Sequence, residues 1–283
     1  MDNLPDSNTV SPTAEIRLVT SAKGGVGKST VCANLGAALA ESGRRVLLID
    51  CDIANRCLDL MLGLEDEAIF GIRDVCTDAV SLTDAIYASP ALPDLHLLAG
   101  SRLSEDDLAS VTSALPGILA EALTFGYDDI LIDTPGGLHE ILFAAAALVH
   151  EAIIVSSAQA TAIRSAEHTA QLLEEVGVPA MRLIVNQFMA AEAMLPARRS
   201  PLSRRKRTRN MQNAALTLID TVDSVSLPLL GVIPFDASLW DAQNRGCLID
   251  DPSLTGTVFA AAHRNIAKRL LGRSIPLFTS DKI

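Results

Sequence analysis

Short runs of apolar and β-branched residues alternate along this chain with longer segments whose apolar positions recur at helical spacing. Ile16 to Ser21 reads as a strand, and Lys28 to Ser42, closed by Gly43, as a helix. Arg45 to Asp50 is a second strand and Leu95 to Ala99 a weaker third. The pattern then predicts a helix over 104–123 in spite of Pro116-Gly117. A strand over Asp129 to Asp133, a turn at Thr134-Pro135-Gly136-Gly137 and a helix over Leu138 to Val149 follow. Ala152 to Ser156, Arg182 to Asn186 and Leu229 to Ile233 complete the strands. Helices are expected over Thr161 to Val176 and from about Leu254 to Leu271.

Strand–helix alternation of this kind favours right-handed crossovers, and hence an α/β fold with a doubly wound, mostly parallel sheet. Runs such as Val46 to Ile49 are apolar at every position, as strands covered on both faces must be. One compositional break interrupts the pattern. Residues 190–210 are polar and basic, lie between a strand and a helix, and read as a loop insertion within a single domain over 15–272. Residues 1–14 are polar, contain Pro5 and Pro12, and read as a disordered leader; 273–283 form a short tail.

Composition narrows the classes. Hydrophobic residues make up 49% and aromatics 4%, so Ala, Leu, Val and Ile must fill the core. With 23 basic against 34 acidic residues, the net charge of −11 excludes a nucleic-acid binder that uses its whole surface. Five cysteines, an odd number without a Cys-x-x-Cys pair, exclude a disulfide framework or zinc ribbon and favour a reducing cytoplasm. Apolar stretches such as Ile141 to Val149 are too short to span a bilayer.

The candidate chemistry begins between the first strand and first helix, in Lys23-Gly24-Gly25-Val26-Gly27-Lys28-Ser29-Thr30. The phosphate-loop pattern Gly-x-x-x-x-Gly-Lys-[Ser/Thr] is met except at its first position, which is Ala22. The mechanism survives that change. Gly24, Gly25 and Gly27 let backbone N–H groups turn inward around phosphate oxygens, and the helix that follows offers its positive end. Lys28 would reach the β- and γ-phosphates, and Ser29 would give its hydroxyl to Mg²⁺. Asp50 and Asp52 close the second strand, and Asp133 closes the apolar run Ile130 to Ile132. Carboxylates at strand ends beside such a loop hold a metal's water or orient an attacking water. Gly136-Gly137 can move when the γ-phosphate is lost.

Lys23 ahead of the paired glycines makes the loop Lys-Gly-Gly-x-Gly-Lys-[Ser/Thr]-Thr, which resembles the deviant Walker A signature of the MinD/ParA family of ATPases. The stretch Asp50-Cys51-Asp52-Ile53-Ala54-Asn55-Arg56-Cys57-Leu58-Asp59-Leu60 is similar to the MinD branch of that family in particular. The resemblance runs over roughly residues 15–272 and implies a SIMIBI-type P-loop NTPase that uses ATP and Mg²⁺. It implies a homodimer in the ATP state, slow hydrolysis to ADP and phosphate without an activating protein partner, and a role in spatial regulation such as division-site placement. Lys23, Lys28 and Asp52 are implied as catalytic residues, Lys23 acting across the dimer and Asp52 positioning water. Ser29, Asp50 and Asp133 are implied at the metal, and residues Gly24, Gly25, Val26, Gly27, Lys28, Ser29 and Thr30 around the phosphates. Asn186 is implied against the adenine, with Pro234 and Asp236 of the segment Gly231 to Asp236 beside the base. Cys57 stands where MinD has Asn; a thiol holds a water or phosphate contact poorly, which implies slower hydrolysis.

Arg198, Arg199, Arg204, Arg205, Lys206, Arg207 and Arg209 sit in the insertion, with no acid over 198–209. Such segregation invites an anionic surface, either lipid headgroups or nucleic acid, although a solvated loop explains it equally. The C-terminal amphipathic helix of MinD is not matched here, because Pro276 and the short tail forbid it. The expected location is cytoplasmic, with peripheral attachment at the inner face of the membrane. The alternative reading is a ParA-type, DNA-associated partition or cargo-positioning ATPase that uses 198–209. Metal-cluster carriers that share the loop need paired cysteines, which this chain lacks.

Overall fold

The computed structural model describes residues 14–52, 56–101, 105–189, 218, 221–237 and 239–277. Eight strands form one sheet: β1 (Glu15–Thr20), β2 (Val46–Asp50), β3 (Ile86–Ala88), β4 (Leu95–Leu98), β5 (Asp129–Asp133), β6 (Glu151–Ser157), β7 (Met181–Phe188) and β8 (Leu229–Pro234). Their order is β3-β4-β2-β5-β1-β6-β7-β8. All neighbours are parallel except β3, which runs antiparallel to β4. The helices bounded within the described residues are α1 (Lys28–Glu41), α2 (Leu58–Met61), α3 (Ile72–Cys76), α4 (Glu105–Ala122), α5 (Glu140–Ala146), α6 (Ala160–Val176), α7 (Leu239–Asn244) and α8 (Val258–Leu270), and residues 221–225 are helical too. The doubly wound, mostly parallel α/β fold expected from the alternation is the one observed.

Strand residues alternate between two cores. Leu18, Leu47, Ile49, Ile130, Ile132 and Ile154 face the layer of α3, α4, α5 and α6. Val19, Leu48, Leu131 and Ile153 face the layer that holds α1, α2 and α8. Both faces are covered, so both parities must be apolar. Helix α1 is buried on nearly every side, as an all-round apolar helix must be. Gly36 is where it presses hardest on the sheet: a Cβ there would lie 2.8 Å from Leu48 Cδ2 and 3.1 Å from Leu95 Cδ1. Its far end is held by Arg264, whose guanidinium donates twice to Glu41.

The differences from the sequence reading have local causes. Strand β3, three residues long, carries too little pattern to be seen. Helix α5 stops at Ala146, not Val149, because His150 pairs with Ile16 and turns the chain into β6: Ile16 N donates to its Nδ1 at 3.0 Å. Helix α8 starts at Val258, not Leu254. Asp251 first holds a turn through Ser253, and the Thr257 hydroxyl then caps the helix by accepting from Ala260 N. Leu108–Phe125, unlike the stretches singled out above, is long and apolar enough to cross a membrane. Its Val111, Leu115, Ile118, Leu119 and Ala122 pack into the core. Residues 1–13 of the expected leader and the whole insertion 190–210, with all seven of its basic candidates, lie outside the described residues.

A buried ion network closes the N-terminal ends of the central strands. Arg17 pairs with Asp129 and with Glu151, Arg44 Nε donates to Asp129 at 2.7 Å, and Arg182 donates to Glu151 at 2.7 Å. Asp129 is wholly buried, and each buried acid there has at least two guanidinium partners. That end of the sheet is satisfied. The opposite end is not.

Candidate functional site

In an open parallel sheet the ligand crevice lies beyond the carboxyl ends of the strands. Asp50 ends β2 and Asp133 ends β5, and the register pairs them as direct neighbours. The loop that leaves β1 next to them turns through Gly25 (φ 78°) and Gly27 (φ 82°), left-handed conformations suited to glycine, and opens α1. Gly136 packs on this loop so closely that a Cβ would lie 3.2 Å from Gly24 Cα. Together they bound a cleft of 310 Å³ lined by Ser21, the loop residues 23–30, Asp52, Cys57, Met61 and Gly136.

Lys28 reaches from the first turn of α1 into the acids. Its Nζ donates to Asp133 Oδ1 at 2.8 Å and to Ser29 Oγ at 3.2 Å, and stands 3.9 Å from Asp52 Oδ2. Burial alone would lower the Lys28 pKa, but the charge and hydrogen bond of Asp133, and then Asp52, outweigh it and hold it above the ordinary value. Asp50 accepts from Asp52 N at 2.9 Å and Leu58 N at 3.4 Å. A Cβ on Gly100 would lie 3.0 Å from its Cγ, so glycine there makes room for the carboxylate. Asp50 and Asp133 are both fully buried, and both are pushed above the ordinary carboxylate range. Burial is the main cause; the charge of Asp133 adds to it for Asp50, while Lys28 opposes it for Asp133. The Cys57 thiol is pushed up to about 12, by burial and then by the charge of Asp50, so it faces the cleft as a neutral group.

Lys23 lies at the rim. Its ammonium donates to Gln159 Oε1 at 2.9 Å and Thr161 Oγ1 at 3.0 Å, residues just beyond the end of β6. Asn186 Nδ2 donates to Val26 O at 2.8 Å and Gln187 Nε2 to Gly25 O at 3.4 Å, both from the end of β7. The structure thus brings Lys23, Lys28, Ser29, Asp50, Asp52 and Asp133 together. Asn186 engages the back of the loop, and neither it nor Pro234 nor Asp236 lines the cleft. Sequence reasoning missed Gln159, Thr161 and Gln187. Their one signal is position: polar residues at or just beyond the carboxyl ends of β6 and β7, on one side of β1.

The arrangement fits a nucleotide with Mg²⁺. Asp133 Oδ2 is buried and accepts no hydrogen bond, a lone pair left for a water or a cation. Among the described residues no three acidic, His or Cys side chains form a ready-made cage. That suits Mg²⁺, which keeps several waters and relies on substrate phosphates.

Residues 18–249 match the family model for the CobQ/CobB/MinD/ParA nucleotide binding domain. The chain belongs to the MinD/ParA family. Among its relatives, the septum site-determining protein MinD of Synechocystis is 35% identical over 262 residues, which cover 92% of this chain and 91% of that one. Among solved structures, the MinC:MinD cell division protein complex of Aquifex aeolicus matches with a TM-score of 0.74 and 32% identity, covering 94% of this chain and 99% of that chain. The septum site-determining protein MinD complexed with Mg-ADP from Pyrococcus horikoshii matches with a TM-score of 0.72 and 27% identity, covering 91% and 96%. Residues 18–249, which match that nucleotide binding domain, include the loop 23–30 that lines the cleft beside β1.

Proposed function

We propose that the chain is a MinD-type ATPase, an ATP-dependent dimer switch that serves spatial regulation such as division-site placement. The observation that carries this is the convergence of Lys28, Asp50, Asp52 and Asp133 behind a glycine cradle, with Lys23 at its open rim. The loop N–H groups and Lys28 hold the β- and γ-phosphates, Lys28 exchanging Asp133 for phosphate as the nucleotide enters. Ser29, Asp50 and Asp133 hold Mg²⁺, which when bound neutralises phosphate charge. Asp52 orients the attacking water.

Lys23 crosses to the nucleotide of a second copy. Its two hydrogen bonds to Gln159 and Thr161 are exposed and contribute roughly 1 kcal/mol each, a holding position that phosphate charge readily displaces. The Aquifex aeolicus relative was solved in a complex with MinC, which supports a protein partner here too. We place the protein in the cytoplasm, peripheral at the inner membrane face. The rival ParA-type reading leans on Arg198 to Arg209, which lie outside the described residues.

Sedimentation velocity of Asp52→Ala in ATP and ADP, with and without Lys23→Ala, tests the switch. A dimer in ATP alone, lost with Lys23→Ala, is expected. An ATP dimer that survives Lys23→Ala sinks the crossing role, and no ATP dimer at all sinks the switch. Pelleting with anionic liposomes in ATP alone supports the membrane as its surface; no pelleting removes that location.

A further inference from the structure

Strands β7 and β8 pair at Val185↔Val232 and again at Phe188↔Pro234. Three steps on β7 match two on β8, so β7 carries one extra residue, a bulge over 186–187. Gln187 sits there at φ 53°, a left-handed conformation that a residue with a Cβ adopts rarely and under strain. In a regular strand two neighbours point to opposite faces. Here both side chains reach one target: Asn186 Nδ2 donates to Val26 O and Gln187 Nε2 to Gly25 O. The two amides lie directly behind Gly27, where a Cβ would stand 2.4 Å from Asn186 Nδ2 and 3.7 Å from Gln187 Nε2.

The geometry of a trans peptide gives these bonds a consequence. The carbonyl of one residue and the N–H of the next share a plane and point in opposite directions. No peptide among the described residues is cis. Tying the Gly25 carbonyl to β7 therefore turns the Val26 N–H away from β7, and tying the Val26 carbonyl does the same for the Gly27 N–H. Val26 and Gly27 both line the cleft.

We propose that Asn186 and Gln187 form a two-amide clamp that aims the Val26 and Gly27 N–H groups at phosphate oxygens before the nucleotide arrives. Gln187 is a positioning residue: it acts through the loop and touches no ligand. The bulge is what lets two consecutive residues serve. The inference rests on the nucleotide-site reading and deepens it, since the clamp acts on the phosphate end whatever base is attached.

Calorimetric titration of the wild-type chain and Gln187→Gly with ADP and with inorganic tripolyphosphate, which has no base, tests the clamp. Gln187→Gly should weaken both ligands by the same factor, about two- to fivefold, the worth of one neutral hydrogen bond. Its melting temperature should stay level or rise, because glycine adopts φ 53° without strain. Amide exchange at Val26 and Gly27 should quicken in the free protein. Unchanged affinities overturn the clamp. So does a loss confined to ADP, which would make this a base contact, or affinity and melting temperature falling together, which would make it a structural support. Asn186→Ala should follow the same rule with a larger factor. Wild-type protein that binds neither ligand would instead remove the nucleotide site on which the clamp depends.

Discussion

Replacing Lys28 by Met tests how the empty site is balanced. Lys28 Nζ stands 2.8 Å from Asp133 Oδ1, and Asp133 is wholly buried. At an effective dielectric near 20 their attraction is about 6 kcal/mol, most of it offset by taking both ions out of water. Met fills the volume of the Lys stem and matches its helix propensity, so the change removes charge and little else. It leaves Asp133 desolvated without its compensating cation, with Oδ2 still unpartnered, and Asp52 without its neighbouring cation. Breaking one side of such a pair costs about 3–5 kcal/mol, and uptake of a proton by Asp133 sets the lower end. For a domain of this size that is a fall of roughly 10 °C in Tm. Differential scanning fluorimetry without nucleotide reads it directly. The same logic predicts the response to MnCl₂ alone. The wild-type chain should shift little, because Lys28 already occupies Asp133, whereas Lys28→Met should recover part of its loss. A Lys28→Met chain that melts within about 2 °C of wild type, with no response to Mn²⁺, would refute the reasoning.

Two further outcomes follow from groups away from the cleft. Asp129→Ala removes the acceptor of both Arg17 and Arg44 at the far end of β5 and should cost about 3 kcal/mol in urea unfolding. Nucleotide affinity should hold within about twofold, and a larger loss would mean that the two ends of the strand are coupled. His263 is wholly buried on α8 with its Nε2 unpartnered, and burial lowers its pKa from 6.5 to about 4. Between those values the unfolded chain binds the proton and the folded chain does not, so stability falls as pH drops from 6.5 towards 4, by ~3 kcal/mol. His263→Leu should keep or raise stability at pH 7 and flatten that acid limb; equal slopes in urea midpoints at pH 7 and pH 4.5 would absolve His263.

What could be read from the sequence was what lies close along the chain. The loop 23–30 is contiguous, so its chemistry shows in eight letters. The strands were legible because burial on both faces makes every position apolar, as in Val46 to Ile49. The pairing of Asp50 with Asp133 was not, since it depends on β5 lying between β1 and β2 in the sheet. The residues that hold Lys23, Gln159 and Thr161, are 136 and 138 positions away and carry no motif of their own. Asn186 was read as a contact for the base; that its Nδ2 also reaches the Val26 carbonyl depends on how β7 lies beside the loop. The bulge beside it is one extra residue in one strand, a matter of register that periodicity does not record.

The missing methyl at Gly36 has a mechanical meaning. Helix α1 lies so close to Leu48 and Leu95 that an alanine methyl would have to push the Leu48 side chain aside, and Arg264 grips its far end at Glu41. It resembles a strut seated on the sheet at its middle and held by an ion pair at its far end. A change of phosphate charge at its N-terminal turn would therefore meet resistance along the helix axis. The short elements beside its N-terminal turn are the turn at Gly136-Gly137 and the four-residue helix α2 next to Cys57. On the switch reading proposed above, the presence of one phosphoryl group would then register as a change of surface shape rather than a change of core.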